Sequence, residues 1–158
     1  MPIRNLADLP AFLTRGQTLL GLDYGEKRIG LAICDPDFSL ASPLAVVERG
    51  KLGPTLAEIA KIMTERNVGA LVIGLPLGLD GKDTPTTQAV RTFASNVLKA
   101  WPEAKVALWD ERFSTAAVER QMIEVADMSR AKRGEVVDRA AAAYMLQGAI
   151  DYLRAKRA

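Results

Sequence analysis

Apolar positions along this chain change spacing several times, and each change marks an element. Residues 18–23 and 29–34 are dense apolar runs, and the polar, glycine-containing stretch Tyr24-Gly25-Glu26-Lys27-Arg28 lies between them. That pattern predicts two strands paired as an antiparallel hairpin. After the turn Asp35-Pro36-Asp37, residues 44–48 predict a third strand. From Thr55 onward the spacing becomes helical, with Leu56, Ile59, Ala60 and Met63 at i, i+3, i+4 and i+7. The run Ala70-Leu71-Val72-Ile73-Gly74 is apolar throughout, as expected for a strand covered on both faces of a largely parallel sheet. A loop rich in Gly, Asp and Thr leads to Pro85, a favoured first-turn residue of a helix that runs to Lys99 and stops before Pro102. Residues 105–109 predict the last strand. Two helices follow, over 115–125 and 135–153, separated by a polar, basic stretch at 127–134.

The order is therefore β-β-β-α-β-α-β-α-α. A meander followed by alternating units predicts a single α/β domain with a mixed five-stranded sheet flanked by helices on both faces. The domain is expected over residues 18–154. Residues 1–17 read as an N-terminal extension with a short helix near 6–13 broken at Pro10, and 155–158 as a basic tail.

Composition narrows the chemistry. The chain has 158 residues, 49% hydrophobic and 25% charged, which suits one soluble globular domain with a real core. Its 21 basic and 19 acidic residues leave a formal charge of +2, so any nucleic-acid surface has to come from local clustering. There is no histidine, which removes Ser-His-Asp and Cys-His catalysis, HExxH zinc sites and an imidazole base. The one cysteine, Cys34, lies in an apolar run and reads as a small buried strand residue, consistent with a reducing cytoplasm. No apolar run approaches the ~20 residues needed to span a bilayer.

Three acidic islands stand against this background: Asp23 at the end of the first strand, Asp110-Glu111 closing the last strand, and Asp138 in the final helix. Each lies beside an apolar element, where an ionised carboxylate is costly unless it is paired or holds a metal. Carboxylates without histidine favour a hard divalent cation, Mg²⁺ or Mn²⁺. Asp23 could equally be a turn-former, and Asp110-Glu111 could serve the dipole of the helix that follows. Adjacent residues on an extended chain point in opposite directions, so one of Asp110 and Glu111 faces the site, and Glu111 is the better choice. Asp138 begins the stripe Ala142, Met145, Ala149, which should turn it towards the core. Basic residues near the islands are candidates for phosphate contacts: Lys27, Arg28, Lys82, Arg112, Arg130, Lys132 and Arg133. The loop 74–85 could cradle a phosphate before a helix N-terminus, although it has no Gly-Lys-[Ser/Thr] of a Walker A loop.

Together, Gly21-Leu22-Asp23-Tyr24-Gly25-x-Lys27-Arg28-Ile29-Gly30, Gly74-Leu75-Pro76-Leu77 with Asp80-Gly81, Asp110-Glu111-Arg112-Phe113-Ser114-Thr115 and Val137-Asp138-x-x-Ala141-Ala142 closely resemble the YqgF family. Its members are described as Holliday-junction-resolvase-like or as pre-16S rRNA processing nucleases. The resemblance runs from about Thr18 to Leu153. It implies a ribonuclease H-like fold and metal-dependent phosphodiester hydrolysis by Asp23, Glu111 and Asp138. In one departure, Gly78-Leu79 stands where the family often has Asn-Met.

The expected function is a cytoplasmic endonuclease acting on pre-16S rRNA at its 5′ end, with four-way DNA as the alternative substrate. Ribosomal particles are candidate partners, and the chain is expected as a monomer or weak homodimer. Two other classes compete. Asp-x-Gly after a first strand also opens actin-like ATPase domains, but those need two such domains. A non-catalytic RNA- or ribosome-binding module would gain little from carboxylates beside phosphate.

Overall fold

The computed structural model of the chain describes residues 3–111 and the backbone of 130–157; the side chains of 130–138 and 157 lie outside the description. The expected helix at 115–125 also falls outside it.

Five strands form one mixed sheet: β1 (Thr18–Tyr24), β2 (Arg28–Cys34), β3 (Ala41–Glu48), β4 (Val68–Leu75) and β5 (Val106–Asp110), in the order β3-β2-β1-β4-β5. β1–β2 and β2–β3 pair antiparallel, whereas β4 runs parallel to both β1 and β5. The expected hairpin and parallel half are both present. β3 starts at Ala41, earlier than the expected residue 44, because Cys34 to Leu31 continue the ladder to that point.

Helices α1 (Leu52–Glu65) and α2 (Pro85–Ala100) cover one face. Their apolar stripes, including Leu56, Ile59, Val90, Phe93 and Val97, pack on Leu20, Leu22, Leu71 and Ile73. Pro85 opens α2 behind Thr84, which makes a reciprocal capping box with Thr87. Helix α3 (Arg130–Arg157) crosses the other face, where Met145, Leu146 and Ile150 meet Leu19, Ala32, Ala70 and Val72. It begins before the expected residue 135: the stretch 130–134 is helical backbone, as its Arg, Ala and Lys residues favour, despite Gly134.

Close packing of α3 depends on small residues. A Cβ on Gly21 of β1 would lie 3.0 Å from Leu146 Cβ and 3.3 Å from Met145 Cε. At the far edge, Gln147 of α3 accepts from the Ala41 amide at 2.8 Å and donates to the Ser39 carbonyl at 3.2 Å.

The N-terminal segment is more than an extension. A 3₁₀ helix over Leu6–Phe12 buries Leu6 and Leu9 in the α3-side core, and Arg4 bridges to Ala107 beside β5. Pro10 does not break this helix. In a helix of i→i+3 bonds lasting two turns, the missing N–H removes a single bond. Cys34 is buried as expected, and burial pushes its thiol pKa up.

Candidate active site

The strand alternation decides which acids meet. On β1, Leu19 packs in the α3-side core and Gly21 lies against Leu146 of α3; Asp23 is the next residue in that series. On β4 the same face carries Ala70 and Val72, followed by Gly74. On β5 it carries Ala107 and Trp109, followed by Glu111. Asp110 belongs to the opposite series, with Val106 and Leu108.

Register then aligns these positions. Leu22 pairs with Ile73 and Gly74 with Trp109, so Asp23, Gly74 and the end of β5 lie in a row across the C-terminal rim of the parallel strands. In open α/β sheets this rim is the usual place for ligands. Between Asp23 and Glu111 stands β4, and any side chain at residue 74 would separate them. Glycine leaves the passage open: a Cβ there would lie within 2.8 Å of Glu111 Cγ and Cδ, and closer still to Oε1. The Glu111 side chain therefore crosses β4 to reach Asp23. The sequence reading missed this role, placing Gly74 in a phosphate loop. A lone glycine closing an otherwise apolar strand was the available signal, since it often marks a close approach.

Contact between the two carboxyls has a cost. The Glu111 pKa is pushed up to about 9, first by burial, then by the Asp23 charge, by a hydrogen bond to Asp23 and by the Asp110 charge. A shared proton is one way to hold two such groups together, and a divalent cation is the other. An all-oxygen, histidine-free donor set at a sheet rim fits a hard cation. Among the described residues the acids form a pair rather than a group of three. Asp138 belongs to α3, which packs on this same face, but its side chain lies outside the described residues.

The candidate phosphate contacts divide. Arg28 begins β2 in the series of Ala32 and Cys34, on the Asp23 face, and Asp23 itself pairs with Gly30. Lys27 is exposed in the adjoining turn, and Lys82 is exposed in the β4–α2 loop. Arg112 lies outside the described residues, as do the side chains of Arg130, Lys132 and Arg133. The β4–α2 loop is largely satisfied from within. The Gly78 amide donates to the Lys82 carbonyl at 2.9 Å, Gly81 to Gly78 at 2.8 Å, Lys82 to Asp80 Oδ1 at 3.0 Å, and Thr87 to Thr84 Oγ1 at 3.2 Å. Those amides are not waiting for a phosphate, so the cradle is closed as it stands.

Comparisons with known proteins identify the family and the fold. The RuvX family model, described as "Holliday junction resolvase", matches residues 17–152. A Rhodospirillum centenum protein is 51% identical over 158 residues, covering 98% of this chain and 84% of its own. One from Zymomonas mobilis is 52% identical over 139 residues, covering 88% of this chain and 83% of its own. Both carry the name "Putative pre-16S rRNA nuclease". Among solved structures, Thermus thermophilus RuvC in complex with a Holliday junction substrate aligns with a TM-score of 0.57 at 19% identity, over 90% of this chain and 98% of that one. The yeast mitochondrial Holliday junction resolvase Ydc2 aligns with a TM-score of 0.52 at 9% identity, over 94% and 84%. These structural likenesses show a shared ribonuclease H-like fold.

Proposed function

The chain belongs to the RuvX family of nucleases, and on that premise we propose that it is a divalent-metal-dependent endonuclease that processes the 5′ end of pre-16S rRNA. The observation that carries the reading is the pair Asp23 and Glu111, brought into contact across Gly74 at the sheet rim. Asp23, Glu111 and Asp138 would hold one or two Mg²⁺ or Mn²⁺ ions. Such ions lower the pKa of bound water and neutralise charge at the scissile phosphate. A bound cation would favour the ionised form of Glu111, leaving two carboxylates at the rim to hold it. Arg28 and Lys27, beside Asp23, would hold neighbouring phosphates. With no histidine in the chain, a carboxylate or the substrate itself takes up the released proton.

The relatives' names favour pre-rRNA, and the family description favours a four-way DNA junction. Both substrates present phosphates to the same acids. Cleavage of a pre-16S rRNA fragment and a four-way junction should be compared in Mg²⁺ and in Mn²⁺. We expect metal-dependent cleavage, faster on the rRNA. Asp23→Asn should reduce it by more than the roughly 10–100-fold that outer partners of a metal contribute. Cleavage that survives this substitution would sink the assignment, and a preference for the junction would move it to the DNA substrate.

A further inference from the structure

On the sheet face opposite Asp23, at the same rim, a hollow of about 360 Å³ opens between the end of β1, the start of α1 and the outer side of α2. Its size lies at the lower end of small-molecule sites. Tyr24, the residue after Asp23, forms part of its wall. The Tyr24 ring stacks on Phe93, with centroids 4.4 Å apart and planes inclined by 25°. The Arg49 guanidinium lies 4.4 Å above the Tyr24 ring. Arg49 Nη1 also donates to the Gly25 and Glu26 carbonyls, each at 2.9 Å, which ties the guanidinium to the β1–β2 turn. Phe93 is anchored in the core, whereas Arg49 is exposed. Thr92 and Asn96 add a hydroxyl and an amide to the rim of the hollow.

A surface arginine tied over a ring in this way can serve as a platform. Guanidinium planes and aromatic rings are the two surfaces on which unpaired bases stack, and an amide at the edge can read a base's hydrogen-bonding groups. Tyr24 follows Asp23 on β1 and turns to the other face, so a strand that crosses the rim from a phosphate held at Asp23 is led towards the hollow. Glu26 and Glu48 are exposed nearby. Their charge disfavours a phosphate in the hollow and is tolerable for a neutral base. We propose that Arg49, backed by Tyr24 and Phe93, is a stacking platform for an unpaired nucleobase of the substrate strand, with Asn96 at its edge. The proposal rests on the nuclease reading for its substrate. A purely structural Arg49 would only cap the two carbonyls and cover Tyr24.

Single-stranded RNA and DNA oligonucleotides carrying 2-aminopurine at successive positions, mixed with the full chain in EDTA, separate these roles. Stacking quenches the fluorophore at one or two positions. Arg49→Lys keeps the charge but loses the plane, so the quench should disappear and binding weaken about tenfold, in line with one lost base stack. Asn96→Ala, which leaves the turn untouched, should weaken binding and alter base preference with no change in Tm. Should Arg49→Lys lower Tm while quench and affinity stay as in the parent, and Asn96→Ala be silent, Arg49 is structural and the proposal fails. Because these readouts need no cleavage, a chain that binds and quenches but never cuts would remove the nuclease reading alone. One that cuts with no position-specific quench would remove the platform alone.

Discussion

A missing side chain makes the acid pair possible. Gly74 gives Glu111 a path to Asp23, so Gly74→Ala should swing the flexible carboxyl away rather than unfold the strand. We expect metal affinity by calorimetry to fall about 10–100-fold, with stability changed by only about 1 kcal/mol. In a Glu111→Gln background the same change should add little, because its target is gone. Protonation of Glu111 makes a second residue-scale prediction, for the chain in EDTA. Its folded pKa is raised from 4.5 to about 9, so the folded state keeps a proton that the unfolded state gives up. Stability is therefore unaffected below pH 4.5, falls as pH rises from 4.5 towards 9, and levels off above that. The slope is at most about 1.4 kcal/mol per pH unit. Thermal unfolding from pH 5 to 9 should show the decline. Mg²⁺ should offset it most at the alkaline end, and Glu111→Gln should flatten it. A Tm that rises with pH in EDTA would contradict the acid contact.

At the scale of elements, the contact between β1 and α3 positions the third candidate acid. Leu146 and Met145 rest on Gly21, two residues before Asp23, and the helix that carries them also carries Asp138. Gly21→Val should push α3 outward at a cost of about 1–3 kcal/mol, read by urea unfolding. If Asp138 completes the metal site, metal affinity should fall as well, although the atoms nearest a side chain at residue 21 belong to Leu146 and Met145. Normal affinity with lowered stability would remove Asp138 from the site. The elements themselves were mostly legible in the chain. Apolar runs located every described strand, helical spacing located α1, and Pro85 marked the start of α2. The early start of α3 was obscured, because its polar, glycine-containing first turn resembles a linker.

Over the whole molecule, the two faces of the sheet divide the work between two cores. One lies under α1 and α2; the other, under α3, is completed by the 3₁₀ helix through Leu6 and Leu9. Removing residues 1–12 should cost about 3–6 kcal/mol, from two buried leucines at 1.5–3 kcal/mol each. A domain of this size has roughly 5–15 kcal/mol in total, so the shortened chain should be marginal in urea unfolding. An unchanged midpoint would return the segment to the role of an extension. The same segment shows where periodicity alone falls short: Leu6 and Leu9 are spaced like a helix face, and nothing local says what that face meets.

The sequence by itself determined the order of elements along the chain, a mixed sheet with helices on both faces, and the candidate acids. These follow from local spacing and from the absence of histidine, both of which act over a few residues. It also indicated that Asp110 and Glu111 diverge, since alternation is a property of any extended chain. Only the tertiary structure decided that Glu111 reaches Asp23. That contact depends on register between β1, β4 and β5, and on an empty position in the strand between them. Register is fixed by packing across the whole sheet, so no single stretch of the chain records it. Arg49 is a parallel case. Its guanidinium acquires a role from a ring and two carbonyls more than twenty residues earlier, which only the folded sheet brings beneath it.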